Sequence, residues 1–157
     1  MNESTLYNNF DGYNAYPAGA GEEMIRNRLS ALFDKIVKKN EECLIKAKDM
    51  GMEKIMSRVL QVRTRTERMK KEMDHKFIGS EFNFDKISRS EEVELRETDL
   101  SLEKYILQAY AVIEPMTCLE TDMNIVGHFT EVSNCLREIE HLCQKRRDIF
   151  NRKRVYG

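Results

Sequence analysis

The chain has 157 residues, with 41% hydrophobic and 34% charged residues, 7 Gly, 2 Pro and no Trp. That length excludes two large cores, and so much charge with so few helix breakers suits long solvated helices rather than a dense aromatic core. A formal net charge of -1, from 26 Lys+Arg against 27 Asp+Glu, excludes a whole-surface attraction to nucleic acid or membrane.

Residues 1–21 are rich in Asn, Tyr, Gly and Ala, and Gly12, Pro17, Gly19 and Gly21 punctuate them. They read as a disordered N-terminal tail, with Leu6, Tyr7, Phe10, Tyr13 and Tyr16 as a short docking motif or merely part of a floppy segment. The tail has no basic n-region and no apolar run, so no signal peptide is expected. No window approaches about 18 consecutive apolar residues, the length of a transmembrane helix.

A helical coiled-coil domain is expected over 22–157. Its first helix spans about 22–77. Glu22 and Glu23 sit in the first turn, where carboxylates oppose the positive helix end. Ile25, Leu29, Leu32, Ile36 and Cys43 form a stripe that Phe33, Val37 and Leu44 widen, so this half is expected to touch two neighbours. Ile55, Val59, Val62, Thr66, Met69 and Met73 then recur at alternating steps of 4 and 3, the spacing of a seam that faces a partner helix. Gly51 is open to three readings: a kink, a hairpin turn or a tolerated glycine. Continuity is the favoured one, because no Pro, Asn or Ser supports a turn there. A continuous helix would be a rod roughly 80 Å long, which later helices, a partner or both must cover.

Residues 78–90 break the pattern, with Phe82 and Phe84 as anchoring aromatics. Ser88-Arg89-Ser90-Glu91 fits a capping box. A second helix follows over about 91–114, with Leu95, Leu102, Ile106, Ala109 and Ile113 apolar, and Pro115 ends or kinks it. The third spans about 117–153, where Ile125, Phe129, Val132, Leu136, Ile139, Cys143 and Phe150 hold a 4-3 spacing interrupted by one polar residue, Arg146.

The fold class is therefore all-α, with long helices forming an antiparallel coiled coil or helical bundle completed by partner helices. The expected partner interface is Ile55, Val59, Val62, Met69 and Met73 on one stripe, and Ile125, Phe129, Val132, Leu136, Ile139 and Phe150 on the other. The 9 Met residues suit a deformable interface.

Catalytic signals are thin. Glu72-Met73-Asp74-His75 and Glu138-Ile139-Glu140-His141 are a pair of Glu-x-x-His motifs, as used by four-helix di-metal enzymes. However, Glu72 and His75 fall at the edges of their stripe, and Glu138 lies about 100° from Ile139, so solvated surface is the expectation. No H-E-x-x-H, phosphate loop or nucleophile triad occurs. His128, beside Phe129, reads as a structural histidine. No cofactor, metal or small-molecule substrate is expected. Cys43, Cys118, Cys135 and Cys143 lack C-x-x-C spacing and read as reduced core residues of a cytoplasmic or nuclear protein. Thr64 and Thr66 lie in the Arg-rich run 63–68, and Thr66 falls on the apolar stripe, where a phosphate would disrupt pairing.

Lys145, Arg146, Arg147, Arg152, Lys153 and Arg154 form a basic cluster near the C-terminus. Such cations suit the negative end of a helix, and as a patch they would bind nucleic acid or another anionic surface.

Two segments carry a family resemblance. Phe33-Asp34-Lys35-Ile36, with Lys38, Asn40 and Glu41, and Lys70-Lys71-Glu72-Met73 resemble the KxDL family, small helical subunits of complexes that position lysosomes and related organelles. Glu72 and Met73 stand where that family's signature has Asp and Leu, and Glu91 to Gly157 lies outside the likeness. The resemblance implies a helical subunit working inside an assembly. The periodicity leads to the same expectation: a non-enzymatic coiled-coil subunit, scaffold or adaptor acting with other helical subunits as a hetero-oligomer or homodimer. The alternatives are the basic-helix binder and, less favoured, the di-metal enzyme.

Overall fold

The computed structural model describes residues 20–74, 88–117 and 125–154, with side chains over 23–73, 88–117 and 125–150. Four α-helices occupy them: α1 (Ala20–Asp49), α2 (Glu53–Asp74), α3 (Arg89–Ile113) and α4 (Ile125–Arg154). A short 3-10 turn, Glu114–Thr117, follows α3. The tail 1–19, the aromatic loop 75–87 and the cysteine at 118 lie outside the described residues.

The expected continuous helix over 22–77 is two helices. Gly51 adopts φ 68, the left-handed conformation that glycine enters without a Cβ penalty. The Gly51 N–H donates to the Lys48 carbonyl at 3.1 Å and the Met52 N–H to the Ala47 carbonyl at 2.9 Å. This pair of bonds is the Schellman cap, which satisfies carbonyls that a helix end leaves open. Lys46 and Lys48 in the last turn of α1 complement its negative end. No Pro or Asn is needed, because the glycine supplies the turn alone.

The reversal sends α2 back along α1. Arg63 pairs with Glu41 at 2.9 Å and Lys70 with Asp34 at 3.2 Å, residues whose numbers add to the same value, as they must in two helices running in opposite directions. These surface pairs contribute little energy, but they mark the alignment.

The α3 start follows its capping box. The Glu91 N–H donates to Ser88 Oγ at 3.1 Å, and the Ser88 N–H donates to Glu91 Oε1 at 3.3 Å. Pro115 closes α3 by imposing the 3-10 turn. Thr117, the expected start of the last helix, belongs to that turn, with its hydroxyl on the Glu114 carbonyl at 2.8 Å. Residues 118–124 lie outside the described ones, and α4 begins at Ile125.

The two hairpins lie side by side. α1 packs on α2 and α3, and α4 packs on α3 and α2. Arg65 reaches Glu140 and Arg147 reaches Glu72, a constant offset that makes α2 and α4 run the same way. Between them the helices bury Phe33, Leu29 and Ile36 of α1, Met69 of α2, Leu95, Leu102 and Ile106 of α3, and Leu136, Ile139 and Phe150 of α4. Each such side chain contributes roughly 1.5–3 kcal/mol when fully buried. No helix among the described residues is long and apolar enough to cross a membrane.

A Cβ at Gly51 would meet nothing within 4 Å, so Gly51→Ala isolates the backbone cost. A destabilisation of about 1–2 kcal/mol is expected, the cost of the left-handed conformation for an L-residue. Urea unfolding with an unchanged m-value would register it; an unchanged midpoint would contradict the cap's role.

Candidate functional site

The residues expected to face a partner are divided by the fold. Val59, Val62, Met69 and Met73, and Phe129, Val132, Leu136, Ile139 and Phe150, are buried among the chain's own helices. Their expected partner is largely the chain itself, because the break at Gly51 folds one stripe back onto the rest. Ile55 and Ile125 alone among the eleven remain only partly buried.

Those two meet at the turn end of the bundle. Ile55, Ile125, Met52 and Val126 line an open groove of ≈ 570 Å³ between the start of α2 and the start of α4, bordered by Glu53, Lys54 and Arg58. Val126 is 63% exposed, an unusual position for an aliphatic side chain next to other apolar groups.

The three described members of the basic cluster do not share one face, because consecutive helical residues point about 100° apart. Lys145 is exposed. Arg146 is 2% exposed and turns inward, where its Nε donates to Asp99 Oδ1 at 2.9 Å and its guanidinium lies 5.1 Å from the Phe150 ring centre. Arg147 pairs with Glu72 at 3.6 Å and hydrogen-bonds Gln144. The side chains of Arg152, Lys153 and Arg154 lie outside the described ones.

Asp99 is fully buried, and its Oδ2 has no hydrogen-bond partner. Burial pushes its carboxyl up to about 6, with Arg146 pulling the other way. The sequence carried a signal for this pair. Asp99 falls on the α3 stripe between Leu95 and Leu102, and Arg146 is the polar residue on the α4 stripe. Two opposite charges at core positions of neighbouring helices make an ion pair the economical solution.

The α2–α4 seam carries a second set of charges. Arg65 donates to Glu140 at 3.1 Å and to Ser133 at 3.0 Å, and Arg68 donates to Glu140 at 3.1 Å. Arg63 is held by Glu67 and Glu41, which raise its pKa. The Arg-rich run is thus engaged within the bundle. Thr66 is buried, with its hydroxyl on the Val62 carbonyl at 2.8 Å.

The described Glu-x-x-His residues, Glu72, Glu138 and His141, form no metal-binding group. Glu138 and His141 are exposed on α4, Glu72 is committed to Arg147, and His75 lies outside the described residues. Among the described residues no group of three or more His, Cys, Asp and Glu could hold a metal ion. His128 is half-buried on α4. Burial pushes the Cys43 thiol up to about 11 and Cys143 up to about 12, so both are neutral at ordinary pH and poor nucleophiles. Cys43 donates to the Met116 carbonyl at 3.6 Å. Cys135 is also buried and shifted upward by burial.

A carboxyl whose value is raised in the folded state holds its proton more tightly there than in the unfolded chain. The stability it contributes is complete below the unfolded value of about 4 and is lost as pH rises through about 6. Asp99→Asn is expected to remove this slope. Arg146→Met leaves a buried carboxylate without its cation, with an expected loss of about 3 kcal/mol or more at pH 7, and less below pH 5. Adding Asp99→Leu should recover most of the loss. Urea titrations of the three variants across pH 4–7 check this; equal losses at all pH values would contradict it.

Comparison of the chain with protein-family models, with curated proteins and with solved structures gave no match.

Proposed function

We propose that this chain is a non-enzymatic helical subunit or adaptor of a multiprotein complex, and that it docks a partner helix in the turn-end groove. One observation carries the reading: Met52, Ile55, Ile125 and Val126 form an open apolar groove at the end of two stripes that are otherwise buried from Val59 to Met73 and from Phe129 to Phe150. A partner helix would insert its apolar side chains there and complete the helical packing, with pairs of helices running in opposite directions as the coiled-coil reading requires. Glu53, Lys54 and Arg58 at the groove's border carry both signs of charge, and such rim charges govern partner choice and association rate more than affinity.

Two further features support a role in an assembly. The likeness of 33–41 and 70–73 to segments of KxDL proteins points to the same class of subunit. The buried, neutral thiols of Cys43 and Cys143 suit a reducing compartment, the cytoplasm or nucleus. The basic-helix reading loses its support where Arg146 and Arg147 are taken up by Asp99 and Glu72.

The test is the native size of the full chain in extracts of the cells that make it. The wild type is expected to elute well above twice its own 18.5 kDa. Val126→Asp removes no core contact and is expected to shift elution down while circular dichroism stays unchanged. Elution of the wild type as free chain, or the same large species for Val126→Asp, would sink the proposal.

A further inference from the structure

α2 has a third face, turned away from both its neighbours. Arg63 and Lys70 reach towards α1, and Arg65 and Glu72 towards α4. At 100° per residue, the direction left over holds Glu53, Ser57, Leu60, Thr64 and Lys71, and all five are exposed. Leu60 is 43% exposed, with Met56 half-buried beside it. An open depression of ≈ 750 Å³ runs over Met56, Leu60 and Thr64. The Thr64 hydroxyl donates to the Leu60 carbonyl at 3.0 Å, which satisfies it within the helix and leaves its methyl as surface.

The order along this face is acid, apolar centre, base. Glu53 and Lys71 stand equally far from Val62, on opposite sides, and so do Leu60 and Thr64. A two-fold axis at that level therefore brings Glu53 of each copy onto Lys71 of the other, and Leu60 of each onto Thr64 of the other. A face complementary to itself under a two-fold is what an isologous interface requires. Pairing in the same direction would instead set Glu53 against Glu53.

We propose that this face is where two copies of the chain pair, α2 against α2 in opposite directions, Leu60 set on Thr64 and Glu53 on Lys71. The 22 residues of α2 make a strip roughly 33 Å long and 10 Å wide. A single helix pair of that size buries less than a stable specific interface does, so the dimer is weak and concentration-dependent. The face shares Glu53 with the border of the turn-end groove, whereas Leu60, Thr64 and Lys71 lie away from that groove, so Leu60→Asp and Lys71→Glu test the pairing alone and either contact can fail without the other.

The experiment is sedimentation equilibrium of the full chain over a concentration series from micromolar to millimolar. The wild type moves from monomer towards dimer. Glu53→Lys and Lys71→Glu each create two like-charge contacts across the two-fold and weaken the dimer by about tenfold or more. A one-to-one mixture of these two variants dimerises again, because every contact between the unlike copies is then of opposite sign, and the double variant Glu53→Lys/Lys71→Glu does the same. Leu60→Asp abolishes the dimer. All these positions are exposed, and circular dichroism verifies that each variant keeps its fold. A wild type that stays monomeric overturns the pairing and leaves the groove reading standing. A dimer that survives Leu60→Asp, or a mixture that fails to restore it, overturns it equally.

Discussion

The arrangement of this molecule depends on one backbone reversal. α1 and α2 are amphipathic helices that cannot cover themselves, and a helix's apolar stripe must lie against something. Gly51 in its left-handed conformation, with Met52 bonded back to Ala47, turns the second stripe to face the first. The alternative, a straight rod, would expose both stripes to water along its whole length. Burial along two facing helices outweighs the few helical hydrogen bonds lost at the break.

The buried Asp99–Arg146 pair has a different task. Desolvating both ions costs several kcal/mol, so an apolar pair of similar volume would be at least as stable. Its value lies in alignment. Sliding α4 by one heptad along α3 would keep an all-apolar seam in register with itself. Here the same slide sets Asp99 level with Ile139 and strands two charges in the core. The stacking of Arg146 on Phe150 fixes the cation from a second side.

Much of the bundle was legible in the sequence. The 4-3 spacing identified Val59, Met69, Leu136 and Ile139 as buried, and Ser88 with Glu91 marked the start of α3. Spacing names the side chain that is buried but not what buries it, so it leaves later helices and a partner equally open as the cover, where the chain's own four helices supply most of it. The expected continuity through Gly51 rests on the lack of Pro, Asn or Ser beside it; the left-handed cap becomes visible only when the burial gained by reversal is counted. A run of basic residues looked like one patch because linear proximity conceals the 100° step that sends Arg146 inward. The groove at Ile55 and Val126 could not be seen in advance, since it arises where two helix starts from distant parts of the chain come together.

The side-by-side placement of the hairpins also shapes how the chain assembles in time. Closing α1 on α2 needs only the three residues between them, and the loop-closure cost grows with the length enclosed. Joining α1 to the turn that follows α3, as at Cys43 and Met116, encloses more than 70 residues. Local closure comes first under such costs. The first hairpin can therefore form while the second half is still emerging from the ribosome, and it offers α3 and α4 a ready-made surface on which to fold.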